Sequence, residues 1–179
     1  MVKEQLLNEM KQDMLKEIKN AVKEIKLRDS DEVCYISLFG SDNEPVLGLI
    51  TLGIRSYRDK MIKEEVSEYD RLGYLWNSAE MPANYQIGLE QVIPSFADKQ
   101  QLFMEVTEED DWDKTWEDCQ QVRFEVAYQL NSFDWSEIIP VTNDFVLYSE
   151  WEAIDLNGGD LIKSIPLEKL HLLKAKSLA

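Results

Sequence analysis

Histidine is the side chain whose ordinary pKa suits proton transfer near neutral pH, and this chain has one, His171. It stands between Leu170 and Leu172 in a segment that reads as helix, and no Gly-x-Ser-x-Gly elbow exists to place a nucleophile beside it, so a serine-type triad is not expected. Phosphate-cradling loops are missing as well. Neither Gly-x-Gly-x-x-Gly nor Gly-x-x-x-x-Gly-Lys-Ser/Thr occurs, and Gly158-Gly159 has no Lys-Ser or Lys-Thr behind it, which leaves the pair as a turn needing positive φ. Cys34 and Cys119 are 85 positions apart with no second Cys or His at ligand spacing, so neither a disulfide framework nor a structural zinc is expected. Both read as small core hydrophobes, Cys34 on a face with Ile36 and Leu38.

Carboxylates remain as the abundant reactive type. The densest run is Glu105 to Asp118, eight acids and one lysine. A calcium loop would need a tight glycine turn, and this run has no glycine, so no metal and no cofactor are expected. Two readings stand for Glu108, Glu109, Asp110, Asp111 and Asp113: a solvated acidic helix start, favourable against the helix dipole, or a patch that binds a partner. A second candidate surface is the loop from Tyr74 to Tyr85, unusually aromatic for a connection. Trp76, Met81 and Tyr85 are the side chains that would plug a gap beneath a helix, the commoner use of aromatics, or anchor a partner together with Glu80.

These segments must be positioned by a chain of 179 residues, the length of one domain, here spanning 1–179. At 44% hydrophobic with five tryptophans it has the apolar material for a core. The net charge is −16, which argues against nucleic acid and against anionic membrane surfaces, since both are bound through local positive density. The charge is not uniform. Residues 1–30 hold seven bases and six acids, residues 160–179 four bases and two acids, and residues 31–159 eight bases and 27 acids. No uninterrupted apolar segment resembles a signal peptide or a membrane span, so the expected location is cytoplasmic, with both thiols reduced.

Leu7, Met10, Met14, Ile18, Ala21, Val22 and Ile25 recur at steps of three and four and predict one amphipathic helix over residues 2–27. Residues 33–39 and 46–54 are β-rich runs separated by Gly40-Ser41-Asp42-Asn43-Glu44-Pro45, and predict a hairpin. A polar helix over 56–71 capped by Gly73, a helical stretch over 86–105 broken at Pro94, and a helix over 108–131 opened by Thr107 and Asp110 follow. The last carries the stripe Trp112, Trp116, Cys119, Val122, Val126 and Leu130. Residues 145–148, 153–156 and 161–165 read as extended, and Pro166 opens a C-terminal helix. The expected fold class is α+β: a single domain with an antiparallel sheet, made of the N-terminal hairpin plus C-terminal strands, packed against several helices.

The order of helix, hairpin with the strand Val33-Cys34-Tyr35-Ile36-Ser37-Leu38-Phe39, helix, and then Tyr74-Leu75-Trp76-Asn77-Ser78-Ala79-Glu80-Met81 resembles the bacterial family of domain of unknown function 4303. That family carries a Trp-x-x-x-Glu-Trp-like signature after its hairpin; Trp76 and Glu80 match it, and Met81 stands where the second Trp is usual. The resemblance implies an immunity-protein-like setting, in which a small cytosolic protein binds and neutralises a toxin, and it supplies no catalytic residues. The expected function is therefore a non-enzymatic protein-binding domain whose partner is a protein such as a basic toxin. The alternatives are a small carboxylate- or metal-dependent hydrolase and a housekeeping regulatory domain.

Overall fold

The computed structural model describes residues 2–64, 67–151 and 159–179. Its first helix, α1 (Val2–Glu24), buries Leu6, Met10, Met14, Ile18, Ala21 and Val22 along one stripe. Five of these six are fully removed from water, each large one contributing about 1.5–3 kcal/mol. The chain leaves the helix through a turn in which the backbone N–H of Arg28 donates to the buried Asp31 carboxylate at 2.9 Å. It then enters β1 (Val33–Gly40), which pairs antiparallel with β2 (Leu49–Ile54) as the expected hairpin.

The sheet itself is mixed rather than antiparallel throughout. Its order is β3-β2-β1-β4, where β3 is Gln86–Gly88 and β4 is Val141–Trp151. β4 runs parallel to β1, from Val33 opposite Val141 to Gly40 opposite Trp151. A hairpin forces antiparallel pairing, but the intervening residues 41–140 do not; they lay down β2 and β3 and then return through helices, so that β4 enters beside β1 in the same direction. β1, in the interior of the sheet, is buried almost throughout, and α1, α4 (Ser95–Val106) and α5 (Trp112–Leu130) form the helical layer on one side. Leu147 and Ser149 face α5 together with Ile36 and Leu38; Tyr35, Ser37, Tyr148 and Glu150 point the opposite way, beneath the segment from Trp76 to Tyr85.

Several local expectations changed for tertiary reasons. The polar helix is two helices, α2 (Arg55–Lys63) and α3 (Glu68–Leu75), because Ser67 caps the second by accepting from the N–H of Asp70. Gly73 lies within α3 and is not its cap. Residues 86–88 are strand, paired to the edge of β2, and the helix waits until after Pro94. Asp111, not Thr107, caps α5; the Thr107 hydroxyl closes α4 by donating to the Phe103 carbonyl at 2.8 Å. The expected strand at 161–165 is the short helix α6 (Asp160–Ser164), entered through Gly159 at φ +93°. Pro166 precedes α7 (Leu167–Ala175) as expected, and the extended reading of 153–156 lies outside the described residues.

The outer edge of β4 is closed by side chains. Asn131, at the end of α5, accepts from the N–H of Leu147 and donates to its carbonyl, both at 2.9 Å, as a neighbouring strand would. Ser164 accepts from the N–H of Ser149 at 2.9 Å. Such capping removes an edge that would otherwise template pairing with another chain. Asn131→Ala strands both backbone groups of Leu147 in the core and is expected to destabilise the fold by about 2–4 kcal/mol, read from the urea midpoint. A loss below about 1 kcal/mol would mean that the edge does not depend on this amide.

Candidate functional site

Of the aromatic-loop candidates, Trp76, Met81 and Tyr85 are core residues, 2%, 4% and 2% exposed, so they are unavailable as surface anchors. The Trp76 indole stands 5.7 Å from the Tyr35 ring and 5.2 Å from that of Tyr148, the latter edge-on. Its N–H donates to the Leu178 carbonyl at 2.8 Å, which provides the partner a buried indole needs. The Met81 sulfur accepts from the N–H of Ile54 at 3.5 Å, and the Tyr85 hydroxyl donates to Asp31 at 2.8 Å. Glu80 alone of the four remains on the surface. The segment covers one face of the sheet, and plugging is what its aromatics do.

The acidic candidates are exposed. Glu108, Glu109, Asp110, Asp111 and Asp113 all lie at the corner between α4 and α5. Asp111 commits one oxygen to the N–H of Lys114 as the helix cap, and Lys3 reaches both Asp110 and Asp118 at 3.2 Å, fastening α1 to the corner. Burial works against the ionised Asp118, but Lys114 and Lys3 outweigh it and hold its carboxyl below the ordinary value. Among the described residues Glu108, Glu109, Asp113 and Glu117 make no ion pair. Their charge faces water.

Three large apolar side chains of α4 and α5 flank this corner, and one of them departs from the expected buried stripe. Trp112 was expected on the buried stripe of α5 but is 43% exposed, because it is the first helical residue and projects beyond the layer that Cys119, Val126 and Leu130 bury. Leu102 and Val106, one turn apart on α4, are 44% and 42% exposed. The corner thus combines uncompensated carboxylates with exposed apolar surface, the pairing found where charge orients a partner and a few apolar residues hold it.

Elsewhere, the folded chain assembles polar groups that composition does not reveal. Arg123, in the middle of α5, is fully buried; its Nε donates to Ser149 at 3.1 Å and one terminal nitrogen to the carbonyls of Pro45 and Val46. Burial pulls its guanidinium down to about 10, and Gly40 leaves the space that its head group fills. Arg58 forms a two-pronged pair with Asp144 at 3.1 and 3.4 Å, and Lys176 joins the same carboxylate at 3.0 Å. Both cysteines are buried and free, and burial pushes each thiol up to about 12, as suits core hydrophobes. His171 is exposed on α7. Among the described residues no group of three or more His, Cys, Asp and Glu is placed to hold a metal ion, and no helix is long and apolar enough to cross a membrane.

The fold and this surface define an α+β domain with a mixed four-stranded sheet and an acidic, apolar-studded helical corner. No family model, no curated protein and no solved structure matches the chain.

Proposed function

We propose that this chain is a non-enzymatic protein-binding domain that engages a basic protein partner through the α4–α5 corner, and that its biological setting is immunity, the neutralisation of a basic toxin. The observation that carries the reading is the coincidence of Glu108, Glu109, Asp113 and Glu117, exposed and without ion pairs among the described residues, with Leu102, Val106 and Trp112, each more than 40% exposed. Uncompensated negative charge accelerates encounter with a cationic surface, and desolvating a tryptophan and two aliphatic side chains supplies the short-range energy that slows release. The resemblance to an immunity-like family supports the setting. The negative net charge of residues 31–159, eight bases against 27 acids, supports the sign of the partner.

The test is co-expression with the toxin-like product of a neighbouring gene, followed by titration of the two purified proteins at low and at physiological salt. Rescue of growth and a salt-sensitive complex are expected. Reversing Glu108, Glu109 and Asp113 together to lysine should slow association about 10- to 100-fold at low salt while leaving the urea midpoint nearly unchanged. Absence of both rescue and low-salt binding overturns the reading.

A further inference from the structure

Glu150 is a carboxyl group in the wrong place for an ion. It is 1% exposed, near the end of β4, on the face of the sheet that the Trp76–Tyr85 segment covers. Its donors are the Ser37 hydroxyl at 2.7 Å and the backbone N–H of Ser78 at 3.2 Å; the Tyr148 hydroxyl, 3.5 Å away, also bonds the Trp76 carbonyl. An ionised carboxylate offers about four acceptor sites, so this set leaves it undersupplied. Among the described residues no lysine or arginine bonds to it, and residues 152–158, which follow, contain neither. Arg123 reaches Ser149, on the opposite face of the sheet.

The charged groups around it are of the wrong sign to stabilise an anion. The charge of Asp160 at the start of α6 repels it, and Glu80 on the covering segment and Glu150 itself both act against ionisation of the buried Tyr35 beside it. Among the described residues the hydroxyl of Thr51, cross-strand neighbour of Ser37, has no hydrogen-bond partner. Among the described residues the cover is fastened to β4 by the bonds of Tyr148 to the Trp76 carbonyl and of Glu150 to the Ser78 amide, with no lysine or arginine bonded to either side chain.

We infer that Glu150 is a proton-operated latch: it is held as the neutral acid while the Trp76–Tyr85 segment is closed on the sheet, and loss of its proton as pH rises loosens that segment from β4. Burial pushes its carboxyl above the ordinary 4.5, and the bonds from Ser78 and Ser37 only partly oppose this. The closed form thus binds the proton more tightly than the opened form. Closure has its full strength below about 4.5 and weakens as pH rises through the closed-form value, the opening constant growing by up to about tenfold per pH unit between the two.

Two measurements on the whole chain test this. Carbon-detected NMR of the Glu150 carboxyl gives its midpoint, and amide hydrogen exchange from about pH 4 to about pH 9, corrected for intrinsic rates, gives the opening constants of Ser78, Met81 and Tyr85 against those of Ile36 and Leu38 in β1. The expected result is a midpoint above 4.5, an opening constant for the covering segment that exceeds that of β1 at every pH and rises, by up to about tenfold per pH unit, between 4.5 and that midpoint, and no such rise in Glu150→Gln, whose amide keeps the contacts with Ser37 and Ser78. A midpoint at or below 4.5, a pH-independent cover, a cover that opens no more readily than β1, or a slope retained in Glu150→Gln would each overturn the latch. Should that variant fail to fold, the midpoint and the contrast between cover and β1 in the native chain decide alone.

Discussion

Trp76→Ala is expected to destabilise the protein by about 3–5 kcal/mol, whereas Trp112→Ala should change stability by less than about 1 kcal/mol. Trp76 is enclosed by the rings of Tyr35 and Tyr148, and truncating it leaves a cavity that two rings fixed in neighbouring strands cannot collapse to fill. It also frees the Leu178 carbonyl, which loses the indole N–H. Trp112 is 43% exposed at the first position of α5, where removal uncovers little. Binding should respond in the reverse sense, with Trp112→Ala weakening the proposed complex about tenfold or more, as truncation of an interface tryptophan commonly does. Urea denaturation and partner titration of the two variants separate these roles. Equal stability losses would show that the exposed tryptophan is structural after all.

Asp144→Asn should cost about 3–5 kcal/mol, since it leaves the Arg58 guanidinium buried without the carboxylate that receives two of its N–H groups. The Thr142 hydroxyl at 2.6 Å and Lys176 at 3.0 Å bond opposite oxygens of the same carboxylate, and asparagine keeps only one oxygen, so one of the two loses its acceptor as well. Burial alone would raise the Asp144 carboxyl, but Thr142, Lys176 and Arg58 outweigh it and hold it below the ordinary 3.8. The stability it contributes is therefore complete above about 3.8 and is lost as pH falls through the lower folded-state value. Glu150 has the opposite sign, its cost appearing as pH rises above 4.5. Thermal unfolding followed across pH should show the native acid-side loss diminished in Asp144→Asn and the loss above 4.5 diminished in Glu150→Gln; unchanged profiles would place the responsible groups elsewhere.

Periodicity made the helices and the hairpin legible. Met10, Met14, Ile18 and Val22 mark α1 because a stripe at steps of four can face only one way, and the runs around Cys34 and Leu52 mark strands because the intervening glycine, asparagine and proline break everything else. Boundaries that depend on a distant partner were not legible. Residues 86–88 become strand because β2 offers them an edge, and Trp112 stands exposed because it precedes the part of α5 that meets the sheet. The acidic corner could be located from the sequence, since a run of like charge beside a helix start has nowhere to go but water. Its exposed Leu102 and Val106 could not, because their α4 segment has apolar residues on several sides and only packing shows which side is covered.

What the sequence determined by itself is the material of the protein: an acidic central region between near-neutral ends, a core supplied by periodic apolar residues, and an α+β class that follows from those periods. Tertiary structure alone decided the parallel pairing of β4, the burial of Trp76 and the exposure of Trp112, and the meeting of Arg58 with Asp144 across 86 positions. Periods of two and 3.6 residues are short-range consequences of backbone geometry, whereas strand direction, the covering of a ring and the partnering of a charge arise between residues far apart in the chain.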